Sequence, residues 1–341
     1  MNIWWLLVAV AAVSILMTGA LRRYALASSL MDIPNARSSH SVPTPRGGGV
    51  AIVLAFLLAL PILFVTNMLP WADMWALLGA GAGVALIGFL DDHSHIPARW
   101  RLLGHFAAAF WAIFWLGGLP QVDLFGMAVD MGWLGYALSA VYLVWLLNLY
   151  NFMDGIDGIA SIEAICVSTG GAILYAVLGY SGSLSPTAWV TPMVLAVAAA
   201  GFLYWNFPPA RIFMGDAGSG FLGITLGILS LQAAWVAPQL LWSWLILLGV
   251  FVLDATWTLM LRLLRGEKVY EAHRSHAYQY ASRQFGNHLP VTLAVLGINL
   301  LWLLPIALWV GLGELDGLLG LLIAYFPLVL LAVKFKAGGQ E

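Results

Sequence analysis

Seven acidic or amide side chains interrupt stretches that would otherwise dissolve in lipid: Asp91, Asp92, Asn151, Asp154, Asp157, Asn206 and Asp216. A carboxylate near hydrocarbon is costly, so ionisable groups tied to membrane spans are functional candidates by default. In IGFLDDHSHIPARWR, Asp91 and Asp92 end an apolar run, and Arg99 and Arg101 follow. Paired carboxylates can bind a divalent cation, or one can hold or deprotonate a nucleophile. Standing alone, the same dipeptide reads rather as a solvated helix end. NLYNFMDGIDGIA carries a stronger signal. Asn148, Asn151, Asp154 and Asp157 recur every three residues, on one side of a helical end as it unwinds. Gly155 and Gly158 permit close backbone approach. Such an array weakens a span and supplies the hard oxygens that Mg²⁺ prefers; a polar C-cap with turn glycines is the plainer alternative.

NFPPARIFMGDAGSGFLG adds Asn206, Phe213, Asp216 and a Gly-Ser-Gly helix entry. Backbone N–H groups at a helix start suit phosphate oxygens, and a carboxylate beside them suits the counter-cation. Asp216 or Ser219 could instead simply cap that helix. Phe213 could stack on a base or serve packing. EAHRSHAYQYASR holds His273, Arg274 and His276 in a donor-rich loop suited to a diphosphate or sugar hydroxyls, or merely solvated. DIPNARSSHSVPTPRGGG offers Asp32, Asn35, Arg37, His40 and Arg46 in an ordered, non-helical loop. Its cations could meet lipid phosphates or serve only as topological anchors. Asp254 and Glu163 lie alone in apolar segments and read as buried, paired structural groups.

The elements that must position these residues are membrane spans. Of 341 residues 62% are hydrophobic and 9% charged, with mean hydropathy +0.91, where a soluble domain carries about 25% charge. The single cysteine, Cys166, excludes an internal disulfide and a cysteine-based metal site. With about 20 apolar residues per helix, eleven spans are expected near 2–21, 48–66, 72–90, 102–118, 133–150, 159–180, 187–205, 218–236, 239–264, 290–311 and 315–333. All 14 Lys and Arg residues then fall on one side. The positive-inside rule makes that side cytoplasmic, with the N-terminus outside and the C-terminus inside. The polar motifs share that face. On the other, the stretch between Gly118 and Gly132 alternates as a small β-hairpin would. The expected fold is a single all-α polytopic domain over 1–341, with its active site at the cytoplasmic face.

In this order the motifs resemble the polyprenyl-phosphate N-acetylhexosamine-1-phosphate transferases, glycosyltransferase family 4, from DIPNARSSH to HRSH. DD, NxxNxxDGxDG and PxxxIFMGDxGS in succession are specific to that family. The resemblance implies Asn151 and Asp216 as ligands of Mg²⁺, for which Mn²⁺ can substitute. It implies Asp157 and Phe213 as the uracil-binding pair, Asn206 as a substrate-site amide and Arg101 as a basic residue facing the substrate. Asp91 and Asp92 would handle the lipid phosphate, with Asp154 a third catalytic carboxylate, and His273, Arg274 and His276 would bind substrate. The family's histidine motif is HIHH in the GlcNAc-1-phosphate branch and HHH in the muramoyl-pentapeptide branch; here it is His273-Arg274-Ser275-His276. That wording is similar to O-antigen-initiating enzymes that take GlcNAc, FucNAc or QuiNAc.

The implied reaction transfers an N-acetylhexosamine phosphate from a UDP-sugar to undecaprenyl phosphate and releases UMP, in a bacterial inner membrane. The implied partners are undecaprenyl phosphate, a UDP-N-acetylhexosamine and membrane lipids, with no nucleic acid polymer; a homodimer is left open. The competing class is a secondary transporter, whose polar residues would gather near the bilayer midplane on broken helices.

Overall fold

The computed structural model describes residues 2–34, 42–94, 96–180, 187–267 and 273–339, and they form a helical bundle with two short hairpins. Its long rods are α1 (Ile3–Ala27), α3 (Trp71–His93), α4 (Ala98–Leu116), α5 (Gly132–Met153), α6 (Ile159–Tyr180), α8 (Asp216–Val236) and α14 (Gly317–Lys334). Shorter helices α2 (Val50–Val65) and α7 (Val190–Asn206) pack among them, with α9 (Gln239–Leu247), α10 (Gly249–Leu264) and α11 (Ala277–Phe285) following. Next, α12 (Leu289–Ile298) and α13 (Leu304–Gly311) form one rod through a π-helical turn at Asn299–Leu303.

Among the described residues, seven helices are long and apolar enough to cross a membrane, or eight if the bent α9–α10 pair is one span. The chain is therefore a multi-pass membrane protein. All eleven apolar segments of the sequence coincide with helix, but they are not eleven equivalent spans. α2 and α7 have 16 and 17 residues, fewer than the roughly 20 a bilayer core requires. The segment at 239–264 is not one rod: it bends by 75° at Leu248 between α9 and α10. The histidine loop is only half loop, because His276 is the N-cap of α11.

The axis of the bundle is α8. Its most apolar window is 83% buried, so it is enclosed by protein rather than lipid, chiefly by α3 and α5. Small residues make that possible. A Cβ on Gly223 would stand 2.6 Å from the carbonyl of Leu146, and one on Gly227 2.7 Å from Leu143. At one end, a Cβ on Gly88 of α3 would come within 2.5 Å of the Ala217 nitrogen. The chain between α1 and α2 is sewn to the entry of α8 by backbone bonds: Phe213 N–H to Pro45 O, 2.8 Å, Gly48 N–H to Phe213 O, 2.9 Å, and Gly49 N–H to Met214 O, 2.8 Å. Gly49 has no substitute there, since a Cβ would lie 2.6 Å from Gly218 Cα.

The expected hairpin is present as β3 (Val122–Leu124) paired with β4 (Met127–Val129); β1 (Met31–Asp32) pairs with β2 (Thr44–Pro45) in the α1–α2 connection. Glu163 is buried and accepts from Asn299 Nδ2 at 2.7 Å, which ties α6 to the α12–α13 rod. Cys166 is a buried free thiol.

Candidate active site

The C-terminal ends of α3, α5 and α7, the N-terminus of α8 and the His273–His276 segment before α11 meet at one end of the bundle. There the two aspartates of the DD pair take different work. The Asp91 carboxylate accepts from Ile96 N–H at 2.8 Å and from Arg101 Nη1 at 2.5 Å, and Arg101 also stands 3.6 Å from Asp216 Oδ2. Asp91 and Asp216 are close enough for their carboxyl groups to share a hydrogen bond. Two carboxyls in contact require a shared proton or an intervening cation.

Asp92 turns the other way. Its oxygens accept from Asp216 N–H at 3.3 Å and Ala217 N–H at 3.4 Å, so it caps α8 from a neighbouring helix. Arg46 donates to the Asp92 carbonyl and lies 3.7 Å from its carboxylate. Neither Asp216 nor Ser219 serves as the α8 cap. The cap position is Gly215, at φ 79°, where a Cβ would sit 2.7 Å from Asp92 Oδ2.

Asn151, in the last turn of α5, receives the Ser219 hydroxyl on Oδ1 at 3.1 Å. Asp154 is the C-cap residue of α5. Burial, and then the negative charges of Asp216, Asp92 and Asp157, push its carboxyl well above the usual range. Asp91, Asp92, Asp154 and Asp216 thus share a region whose ion-paired cations are Arg46 and Arg101, a field that favours binding positive charge.

Among the described residues, no three His, Cys, Asp or Glu side chains are grouped so as to hold a metal ion by themselves. The donor set still fits Mg²⁺, which keeps several waters and is bound through one or two carboxylates plus substrate phosphates. Asp216 and the Asn151 amide oxygen are hard donors of that kind, and the Asp91–Asp216 contact marks where a cation would relieve repulsion.

Two cavities adjoin this cluster. One, about 660 Å³, is lined by Asp157, Phe213, Pro208, Pro209, Arg283 and His288 among others. Asp157 accepts from Ala210 N–H at 3.0 Å, and His288 Nδ1 lies 3.2 Å from its other oxygen. The second, about 160 Å³, has apolar walls from Val84, Ile87, Leu102 and Leu147 and a polar end formed by Asp91, Arg101, Asn151 and Asp216. His105 lines it too, with its Nδ1 buried and unpartnered.

Asn206 is committed within the protein. Its oxygen accepts from Gly158 N–H at 3.0 Å and its amide donates to Ile212 O at 2.9 Å, stapling the NFMDGIDG turn to the IFMGD turn. His276 is buried beside Asp254, 3.3 Å away. Asp254 also accepts from the Ala277 and Tyr278 amides at 2.9 and 3.0 Å, so it caps α11 as a structural group. His273 pairs with the Ser275 hydroxyl at 2.9 Å. Burial, with His276 and Arg262 beside it, pushes the His273 imidazole down to about 3, and it is neutral at pH 7. The Arg274 carbonyl receives Arg283 Nη1 at 3.0 Å. Asn35, Arg37 and His40 lie outside the described residues. Sequence reasoning missed His105 and His288, isolated histidines with no motif around them.

The chain is similar to known proteins over most of its length. A model of glycosyl transferase family 4 matches residues 74–234, which span α3 to α8 and hold the clustered aspartates. A Bacillus subtilis protein described as a probable undecaprenyl-phosphate N-acetylglucosaminyl 1-phosphate transferase is 29% identical over 276 residues, 77% of this chain and 73% of that one. The decaprenyl-phosphate N-acetylglucosaminephosphotransferase of Mycobacterium tuberculosis is 28% identical over 316 residues, 82% and 75% of the two chains. A phospho-N-acetylmuramoyl-pentapeptide-transferase of Moorella thermoacetica is 33% identical over 234 residues, 62% and 66%. Over residues 74–234 the chain is thus similar to glycosyl transferase family 4, and over most of its length to polyprenyl-phosphate hexosamine-1-phosphate transferases.

Proposed function

We propose that the chain transfers an N-acetylhexosamine phosphate from a UDP-sugar to undecaprenyl phosphate, releasing UMP. The carrying observation is that Asp91, Arg101, Asn151 and Asp216 form the polar end of an apolar-walled cavity, while Asp157 and Phe213, on neighbouring turns, line a second and wider one. A lipid phosphate fits the first and a nucleoside the second. The lipid phosphate oxygen attacks the sugar-bearing β-phosphorus, and the bond to the α-phosphate oxygen breaks. A phosphate monoester has a second pKa of about 6, so the nucleophile is already largely ionised at neutral pH. Asp91, held by Arg101, contributes more by positioning than by removing a proton. Asp92 holds the first turn of α8 and so aims Asp216. Asn151 and Asp216 would hold Mg²⁺, which would supply charge neutralisation when bound.

The donor we assign is of the GlcNAc, FucNAc or QuiNAc type, with GlcNAc favoured by the relatives' names. Initiation of O-antigen or a related surface polysaccharide rests on the HRSH wording alone. The purified protein, given undecaprenyl phosphate and a panel of UDP-GlcNAc, UDP-FucNAc, UDP-QuiNAc and UDP-MurNAc-pentapeptide, should release UMP with one of the first three. UMP release with none of the panel would contradict the proposal and reopen a transporter role.

Arg274 carries the selectivity test, since the Ser275 hydroxyl is already taken up by His273. Arg274→Ile is expected to shift the ratio of kcat/KM for UDP-GlcNAc over a 6-deoxy donor by about 10-fold, because a donor without its hydroxyl partner penalises the wrong sugar. If both constants fall together, the loop serves the diphosphate alone.

Topology completes the proposal: eleven crossings, counting the short α2 and α7 and the bent α9–α10 pair as one each, with the N-terminus outside and the C-terminus in the cytoplasm of a bacterial inner membrane. Its support is that the basic residues gather at the active-site end, as the contacts of Arg22 with Arg211, Arg46 with Asp92 and Arg265 with Gly338 illustrate. A reporter fused after Glu341 should be active only if it works in the cytoplasm; activity restricted to the outside means an odd number of crossings has been miscounted.

A further inference from the structure

At the end of the bundle opposite the carboxylate cluster lies a cavity of about 640 Å³. Its walls come from the α2–α3 turn, the last turns of α4 and α8 and the first of α7. Among its lining residues are Phe64, Trp71, Trp115, Tyr175 and Trp235, and one carboxylate, Asp73. Phe64 and Trp71 have ring centroids 5.3 Å apart, and Trp75, behind the wall, bridges Trp71 (5.3 Å) to Trp115 (6.5 Å). Trp71 and Trp235 are half exposed, at 50% and 51%. Half-exposed tryptophans at the end of a span mark the depth of lipid headgroups.

Asp73 is an anomaly in this wall. No Lys, Arg or His is among the described residues lining the cavity. The Gln232 amide faces its carboxyl but does not close a hydrogen bond of ordinary geometry, and Gln232 Nε2 and Trp115 Nε1 are buried without partners. A carboxylate in the first turn of α3 gains from the helix dipole, but that does not account for the aromatic enclosure or the unpartnered donors. An ammonium group answers both the charge and the aromatic faces. A phosphodiester beside that ammonium would offer acceptors to the indole and amide N–H groups.

We propose that this recess binds the headgroup of an aminophospholipid, with its primary ammonium on Asp73 and its glycerol arm passing between Trp71 and Trp235. The site is separate from the transferase centre and makes the membrane's zwitterionic lipid a ligand of the enzyme at its far face.

The test is native mass spectrometry of the full-length chain in detergent, titrated with phosphatidylethanolamine or with phosphatidylglycerol of the same acyl chains. The wild type should retain phosphatidylethanolamine about fivefold better. Asp73→Asn should abolish that excess, and Asp73→Glu should preserve it. Both variants should keep the wild-type melting temperature and the wild-type UMP release in detergent, because Asp73 lies at the other end of the bundle. Equal retention of the two lipids by the wild type, or an undiminished excess in Asp73→Asn, would overturn the proposal. Either result leaves the transferase reading untouched, since that reading fails only through UMP release.

Discussion

Replacing Asp216 with Asn, or Asn151 with Ala, is expected to lower turnover by about 10²–10³-fold or more while the protein still inserts and folds. Asp216 stands where α8 begins, 3.6 Å from Arg101 and in contact with Asp91. On the proposed reading, removing its charge would take a hard donor from the diphosphate's counter-cation and leave Arg101 to Asp91 alone. Asn151→Ala would remove the other proposed donor and free the Ser219 hydroxyl from its 3.1 Å contact. Neither change opens a cavity in the apolar core, so the melting temperature should move little. The check is UMP release across a Mg²⁺ titration, beside direct Mn²⁺ binding followed by electron paramagnetic resonance. Near-wild-type turnover at ordinary Mg²⁺ would remove that residue from the metal site.

The second large effect comes from a residue with no functional group of its own. A Cβ on Gly88 would meet Asp216 C and Ala217 N at 2.5 Å. Those are backbone atoms of the helix that carries Asp216, so they cannot step aside as a flexible side chain would. Overpacking of this kind costs about 1–3 kcal/mol, and here the strain falls on the helix start that Asp92 caps. Gly88→Ala is expected to cut turnover at least about 10-fold and to lower the melting temperature. Gly83→Ala, five residues earlier in α3 with nothing within 4 Å of the added Cβ, should change neither. A Gly88→Ala enzyme with unaltered kinetics would mean that the α3–α8 seam does not position the site.

Much of this was legible in the sequence because hydrocarbon leaves few ways to satisfy a polar side chain. Asp91, Asn151, Asp157 and Asp216 stood out against apolar runs, and the structure brings their segments to one end. The alternation between Gly118 and Gly132 marked a hairpin correctly, turned by Phe125 and Gly126 at positive φ. Partnerships were not legible. Nothing local tells that Asp92 caps α8, more than a hundred residues onward, or that Asn206 staples two turns rather than facing a ligand. Length and hydropathy could not show the 75° bend at Leu248, since a broken helix and a straight one have the same composition. The helix after His276 was hidden for a different reason. Its polar face reads as loop, and its first amides are held by Asp254 on α10, more than twenty residues earlier in the chain. His288 was missed because an isolated histidine acquires meaning only when folding sets it against Asp157.

Which bond breaks is the centre of the account, and the β-phosphorus of the donor reports it directly. UDP-GlcNAc labelled at that phosphorus, incubated with the purified protein, Mg²⁺ and undecaprenyl phosphate, should place the label in the lipid product, with unlabelled UMP released in equal amount. The Asp216→Asn protein should leave the label in the donor. Label recovered in UDP would mean that the sugar alone is transferred, and the assignment of Asp91, Asn151 and Asp216 to phosphoryl transfer would be contradicted.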